Sequence, residues 1–140
     1  MGPILVGVMG TLLGVLLGGA LQQLQATRAR RWQQEDALKG AKRAAFAEYL
    51  RSISASYAQA MSGVRSRSED ASIHAATAQI EVLCGVAVAG PARELTDMVI
   101  NVHSEIAAGT GVAQEIVDTV NQRRYEVIDL FKTDVGLPVS

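Results

Sequence analysis

Few side chains in this 140-residue chain have the chemistry for catalysis or metal binding, and their spacing assembles no familiar site. His74 and His103 fall on separate predicted helices without the spacing that sets two imidazoles on one metal ion, so each reads as a surface or packed helical histidine. Cys84 sits on an apolar stretch with no His or basic residue near it in sequence, the setting of a small buried hydrophobe and not of a reactive thiolate. As the single cysteine it has no partner for an intramolecular disulfide. Glu94 and Asp97 share a helix face, but they belong to the first turns after Pro91, where acids complement the helix dipole. Gly85-Val86-Ala87-Val88-Ala89-Gly90 lacks the Lys and the Ser or Thr of a phosphate-cradling loop, and Gly109-Thr110-Gly111 is a turn signal only. The expectation is a protein with no catalytic residues, no cofactor and no metal, hence no enzyme.

The elements that carry these residues are helical. Phe46, Leu50, Ile53, Tyr57, Ala60 and Val64 are spaced 4, 3, 4, 3, 4, the seam of a helix packed on other helices. No Pro or Gly interrupts residues 20–39, so the preceding helix runs on into this seam, with Gly40 its one weak point. A second helix starts near Ser68, with Glu69 and Asp70 in its first turn and Ile73, Thr77, Ile80, Cys84 and Ala87 inward, flanked by Ala76 and Leu83. Residues 85–90 end it, and Pro91 opens a third helix that turns Leu95, Val99, Val102 and Ile106 inward. A strand over residues 81–88 is the competing reading, because β-branched residues are dense there. After Gly109-Thr110-Gly111 a fourth helix carries Ile116, Val117, Val120, Val127, Ile128 and Phe131. Arg123 and Arg124 interrupt that stripe, so one of them must snorkel or pair. Gly136 and Pro138 close the helix. Short connections make neighbours antiparallel, as in an up-and-down bundle.

The N-terminal stretch has a different composition. From Met1 to Thr27 there is no charged side chain, and residues 4–21 form an apolar and glycine run with Thr11 its one polar member, close to the roughly 20 helical residues that span hydrocarbon about 30 Å thick. The fold class expected is therefore all-α, an N-terminal transmembrane helix continuing into a small antiparallel helical bundle. The expected domains are an anchor over 1–27, a basic juxtamembrane stalk over 28–40, a bundle over 41–135 and a tail over 136–140. A cleavable signal at Gly18-Gly19-Ala20 fits less well, because no Lys or Arg precedes the run. Gly10, Gly14 and Gly18 repeat every fourth residue with Gly7 on the same face, a surface on which two membrane helices could approach closely and a route to a homo-oligomer.

Charge is distributed unevenly. Residues 28–51 hold seven basic against three acidic side chains, and residues 52–140 hold six against eleven. The basic side chains directly after the apolar run place the anchor in the inner membrane with the later part of the chain in the cytoplasm. Arg28, Arg30, Arg31 and Trp32 are then the expected contacts to lipid headgroups. Nucleic-acid binding is not expected, given the acidic distal balance and the lack of interleaved aromatic and basic residues.

The apolar helix, Trp32, Lys42-Arg43-Ala44-Ala45-Phe46-Ala47-Glu48-Tyr49-Leu50, the Gly90-Pro91 pair and the closing Asp129-Leu130-Phe131 with Gly136-Leu137-Pro138 together resemble small membrane-anchored helical proteins of actinobacteria and their phages. The chain departs from that pattern at Ala89, where a leucine often precedes the Gly-Pro pair. The resemblance implies an anchored helical cytoplasmic domain and supplies no residue roles. The functional expectation is a single-pass scaffold or adaptor acting on the lipid bilayer and a cytoplasmic protein partner. The alternative is a phage-type membrane-active lysis or pore-forming protein.

Overall fold

The computed structural model describes residues 2–63 and 67–139, with side chains from Gly14 onward. Four α-helices follow one another: α1 (Gly2–Met61), α2 (Arg67–Leu83), α3 (Val86–Ala108) and α4 (Gln114–Asp134). There is no strand among the described residues, so the β-branched stretch around Glu81 to Val88 is helix on either side of a short turn. The chain divides into two compact units, residues 1–38 and residues 39–140.

The first unit is one stretch of α1. Its described side chains, residues 14–38, are all exposed, Leu16 and Trp32 among the most open. The expected single-pass anchor, and with it the inner-membrane placement and cytoplasmic orientation, is corrected here: among the described residues no helix is long and apolar enough to cross a membrane. Of the expected span, residues 4–13 lie outside the described side chains. The apolar part that follows reaches only from Gly14 to Leu21, roughly 12 Å of helix at about 1.5 Å per residue, before Gln22 and Gln23 and then Arg28, Arg30 and Arg31. The lysis and pore reading depends on the same span and goes no further.

The second unit is a bundle whose helix directions follow from its side-chain pairs. Lys42, early in the α1 portion of this unit, meets Asp134 at the end of α4, and Asp134 also accepts from Cys84, just past the end of α2. Further along α1, Tyr49 meets Ala92 and Thr96 of α3, and Ser56 meets His103 seven residues beyond Thr96. Thus α3 runs with α1 while α2 and α4 run against it, the up-and-down order that the short connections imply. The core is Phe46, Tyr49 and Ile53 of α1, Ile73 and Ile80 of α2, Leu95 and Val99 of α3, and Val127 and Phe131 of α4. Phe46 stacks on Phe131 at 4.0 Å between centroids, and Tyr49 meets the same ring edge-on at 5.8 Å.

Three of the buried hydroxyls are linked inside this apolar core. The Tyr49 hydroxyl, on a side chain with no exposed surface, donates to the Ala92 carbonyl at 2.8 Å and lies 3.1 Å from Thr96 Oγ1. Thr96 Oγ1 lies 2.7 Å from Thr77 Oγ1, and Thr77 donates to the Ile73 carbonyl. Burying a hydroxyl without a partner costs about 1–3 kcal/mol, so the chain of contacts satisfies each group by fixing three helices in one register. Ser52, one turn beyond Tyr49, is the exception, buried with no partner for its Oγ.

Local geometry corrects one boundary. Residues 86–90 belong to α3, which starts after an extended Gly85 (φ −72°, ψ 168°), so Pro91 lies inside the helix and not in its first turn. Val88, Ala92, Leu95, Val99 and Val102 form one buried stripe at 4, 3, 4, 3 spacing, and burying its first member favours helix as far back as Val86. The N–H that Pro91 lacks would have bonded the carbonyl of Ala87, an exposed residue, and Gly90 before it has no Cβ to clash with the proline ring. As the lack of breaks over residues 20–39 implies, α1 passes through Gly40 without interruption. The turn signals hold: α3 ends on Gly109 at φ +72°, and α4 is followed by Gly136 at φ +77°, both in the left-handed region where a Cβ is strained.

Three stability outcomes rest on this core. Ser52→Ala removes an unpaired buried hydroxyl and improves helix propensity, and should raise unfolding free energy in urea by about 0.5–1 kcal/mol. Tyr49→Phe should lower it by about 1–2 kcal/mol, because the Ala92 carbonyl loses its buried donor. Burial pushes the Tyr49 hydroxyl up to about 12, against the smaller opposing effect of the Thr96 hydrogen bond. A phenol held neutral in the fold contributes stability that is intact below its unfolded value near 10 and lost as pH rises toward 12. Urea titrations between pH 10 and 12 should therefore show a decline of up to about 1.4 kcal/mol per pH unit that is absent from Tyr49→Phe.

Candidate functional site

The residues that attract attention in sequence are not brought together. His74 is exposed on α2, and Glu94 and Asp97 are exposed on α3. His103 is buried: its Nδ1 lies 2.8 Å from Ser56 Oγ, and its ring is 5.7 Å from that of Tyr57. No group of three or more His, Cys, Asp or Glu among the described residues could hold a metal ion.

Cys84 is half-buried and its Sγ donates to Asp134 Oδ2 at 3.6 Å, beside the 2.8 Å ion pair of Asp134 with Lys42. Burial first, and the Asp134 carboxylate second, push the thiol up to about 11, with Lys42 opposing. The expected inert thiol agrees with this, although its partner is a carboxylate fifty residues away and not an apolar neighbour. Three further ion pairs among the described residues, Arg51 with Glu48, Arg93 with Glu81 and Arg123 with Glu126, lie in solvent and position no chemistry.

The glycine face divides. Gly7 and Gly10 lie outside the described side chains. At Gly14 and Gly18 an added Cβ would meet nothing within 4 Å among the described residues. Arg28, Arg30, Arg31 and Trp32 are exposed, and with no span among the described residues their assignment to headgroups loses its basis.

Two concavities in the second unit remain as candidate sites. One is an open groove of about 730 Å³ between α1 and α2, floored by Ala41, Ala44, Ala75 and Ala78. Val82 stands at its edge with 84% of its surface exposed. Alanines on both facing helices are too short to meet across the gap, which is why the groove stays open. The second is a cavity of about 270 Å³ enclosed by α1, α3 and α4 near His103, with walls of Ile53, Val99, Val102, Val117 and Val120. Val117, Val120 and Ile106, expected inward, are only half-buried because they face this space.

Arg124 opens onto the same cavity. Of the two arginines that interrupt the α4 stripe, Arg123 is the one that pairs, with Glu126 at 3.3 Å. Arg124 lies half-buried with its guanidinium carbon 5.6 Å from the Tyr125 ring, and its Nε is buried without a hydrogen-bond partner. The spacing Val117, Val120, Arg124, Val127, Phe131 places an arginine on an inward position, a signal visible in sequence once the stripe is drawn through it.

No protein-family model, curated protein or solved structure matches this chain.

At pH 8, Cys84 should react with iodoacetamide at least ~10-fold more slowly than a free cysteine whose thiol titrates near 8.5, since only the thiolate attacks. Asp134→Asn should speed alkylation several-fold, and an unchanged rate would show that the carboxylate does not govern the thiol.

Proposed function

We propose that this protein is a non-catalytic helical scaffold that works as a self-associated pair, joined through the α1–α2 face of its second unit. The observation that carries this reading is the open alanine groove with Val82 exposed at its edge. A hollow of small side chains and a projecting branched one on the same face are the ingredients of an isologous contact, in which each copy inserts its valine into the other's hollow. Fully burying a valine is worth about 1.5–3 kcal/mol, and a two-fold contact does it twice. Glu48, the charged residue lining the groove, is already paired with Arg51 at 2.6 Å and brings no unpaired charge to the interface.

The absence of catalysis in this reading is supported by how the ionisable groups are used. Lys42 and Asp134 hold each other, the Cys84 thiol is pushed up, and Ser56 holds the buried histidine. Of these, only Ser56 and His103 stand at the spacing of a nucleophile and its base, 2.8 Å, and Ser56 is buried and lines neither concavity.

Sedimentation equilibrium of the full chain over a wide concentration range should show mass rising from monomer to dimer. Ala78→Glu, which sets a charge in the hollow, should keep the chain monomeric at the same concentrations. A monomer at every concentration, or a dimer that survives Ala78→Glu, would overturn the proposal.

A further inference from the structure

The cavity between α1, α3 and α4 is a second feature, at different residues from the α1–α2 groove and independent of it. We infer that it is a binding site for a small amphiphile, an apolar chain ending in a single carboxylate.

The inner wall is aliphatic, with Ile53, Val99 and Val102 all buried. At the rim, Ser54 and Asn121 are exposed residues, and the Ser54 hydroxyl is already committed to the Leu50 carbonyl at 3.1 Å. The remaining donors at the mouth are Arg124, the Asn121 amide and the Tyr57 hydroxyl, with the His103 ring on the wall. Arg124 makes no ion pair with any described residue, and its Nε–H is withdrawn from water without an acceptor. An arginine without an ion-pair partner at the mouth of an apolar cavity is answered by a carboxylate, whose two oxygens match the spacing of two parallel guanidinium N–H donors.

Charge and size narrow the ligand. One guanidinium with the amide and hydroxyl beside it matches a monoanion, whereas a phosphate dianion calls for more arginine or lysine partners than line this space. The volume, about 270 Å³, lies just under the usual range of small-molecule sites, roughly 300–1,000 Å³, so the apolar part must be short. Aliphatic walls without a full aromatic shelf favour a hydrocarbon chain. The carboxylate could belong to a free medium-chain acid or to the end of a longer acid whose chain leaves by the mouth; the two share the same contact.

The test is calorimetric titration of the full chain with octanoate, octan-1-ol and octylamine below their aggregation limits, repeated with palmitate bound to a carrier. Valine methyl NMR resonances would report the location. Octanoate should bind saturably and at least tenfold more tightly than octan-1-ol, octylamine more weakly still, with shifts centred on Val117 and Val120. Arg124→Met should bring octanoate down to the affinity of octan-1-ol while leaving octan-1-ol unchanged. Palmitate binding as tightly as octanoate identifies the longer acid as the natural source, and weaker palmitate identifies the short one; either supports the site if octanoate discriminates. Equal affinity for the acid and the alcohol, no saturable octanoate binding, or an undiminished Arg124→Met variant would overturn the inference. Should that variant fail to fold, the comparison of the three head groups on the natural chain decides.

Discussion

The hydroxyl of Tyr49 is placed where almost no freedom is left to the surrounding helices. It reaches from α1 to a backbone carbonyl of α3 and to Thr96, which in turn touches Thr77 of α2, while the same ring meets Phe131 of α4 edge-on. Apolar contacts alone would tolerate a helix sliding by part of a turn. A satisfied line of buried hydroxyls does not, because each displaced donor or acceptor loses its partner in a medium without water. The register set there places Lys42 on Asp134 toward one end of the bundle and Ser56 on His103 toward the other.

This constraint also shows why part of the fold can be read from sequence and part cannot. The seam through Phe46 and Ile53 is visible as apolar spacing, and both residues are buried. Tyr57, assigned to the same seam, is half exposed, while Tyr49, Ser52 and Ser56 are buried. The inward face of α1 is rotated toward polar residues that a hydropathy pattern assigns outward. The same bias placed the start of the third helix at Pro91, since glycines and a proline are read as breaks. The buried stripe from Val88 to Val102 outweighs them. At the N-terminus composition misled in the other direction, because the apolar run reads as a span when taken whole, yet no helix among the described residues is long and apolar enough to cross a membrane.

The site was less legible than the fold. Histidines and a cysteine attract attention by type, but burial and partners decide what they do: His103 is held by Ser56, and Cys84 faces a carboxylate. Arg124 is conspicuous in sequence only as a break in a stripe. In three dimensions it is a cation on an inward position, lining a cavity with its Nε unpaired. The alanine groove has no sequence signature beyond composition, since alanine is equally at home in a packed interface and on a solvated helix. Both features depend on the bundle holding its shape, the groove because α1 and α2 must stay apart over their alanines, the cavity because α4 must carry Arg124 to the mouth.

Amide hydrogen exchange of the full chain, followed in increasing urea below the unfolding transition, examines that dependence directly. The account predicts that the amides of Tyr49, Thr77, Thr96 and Val127, one from each helix, are among the slowest and open with a single free energy equal to that of global unfolding. A helix whose buried amides exchange through a separate, lower-energy opening would contradict the claim that the hydroxyl line between α1, α2 and α3, with Phe131 packed against it, binds the four into one unit.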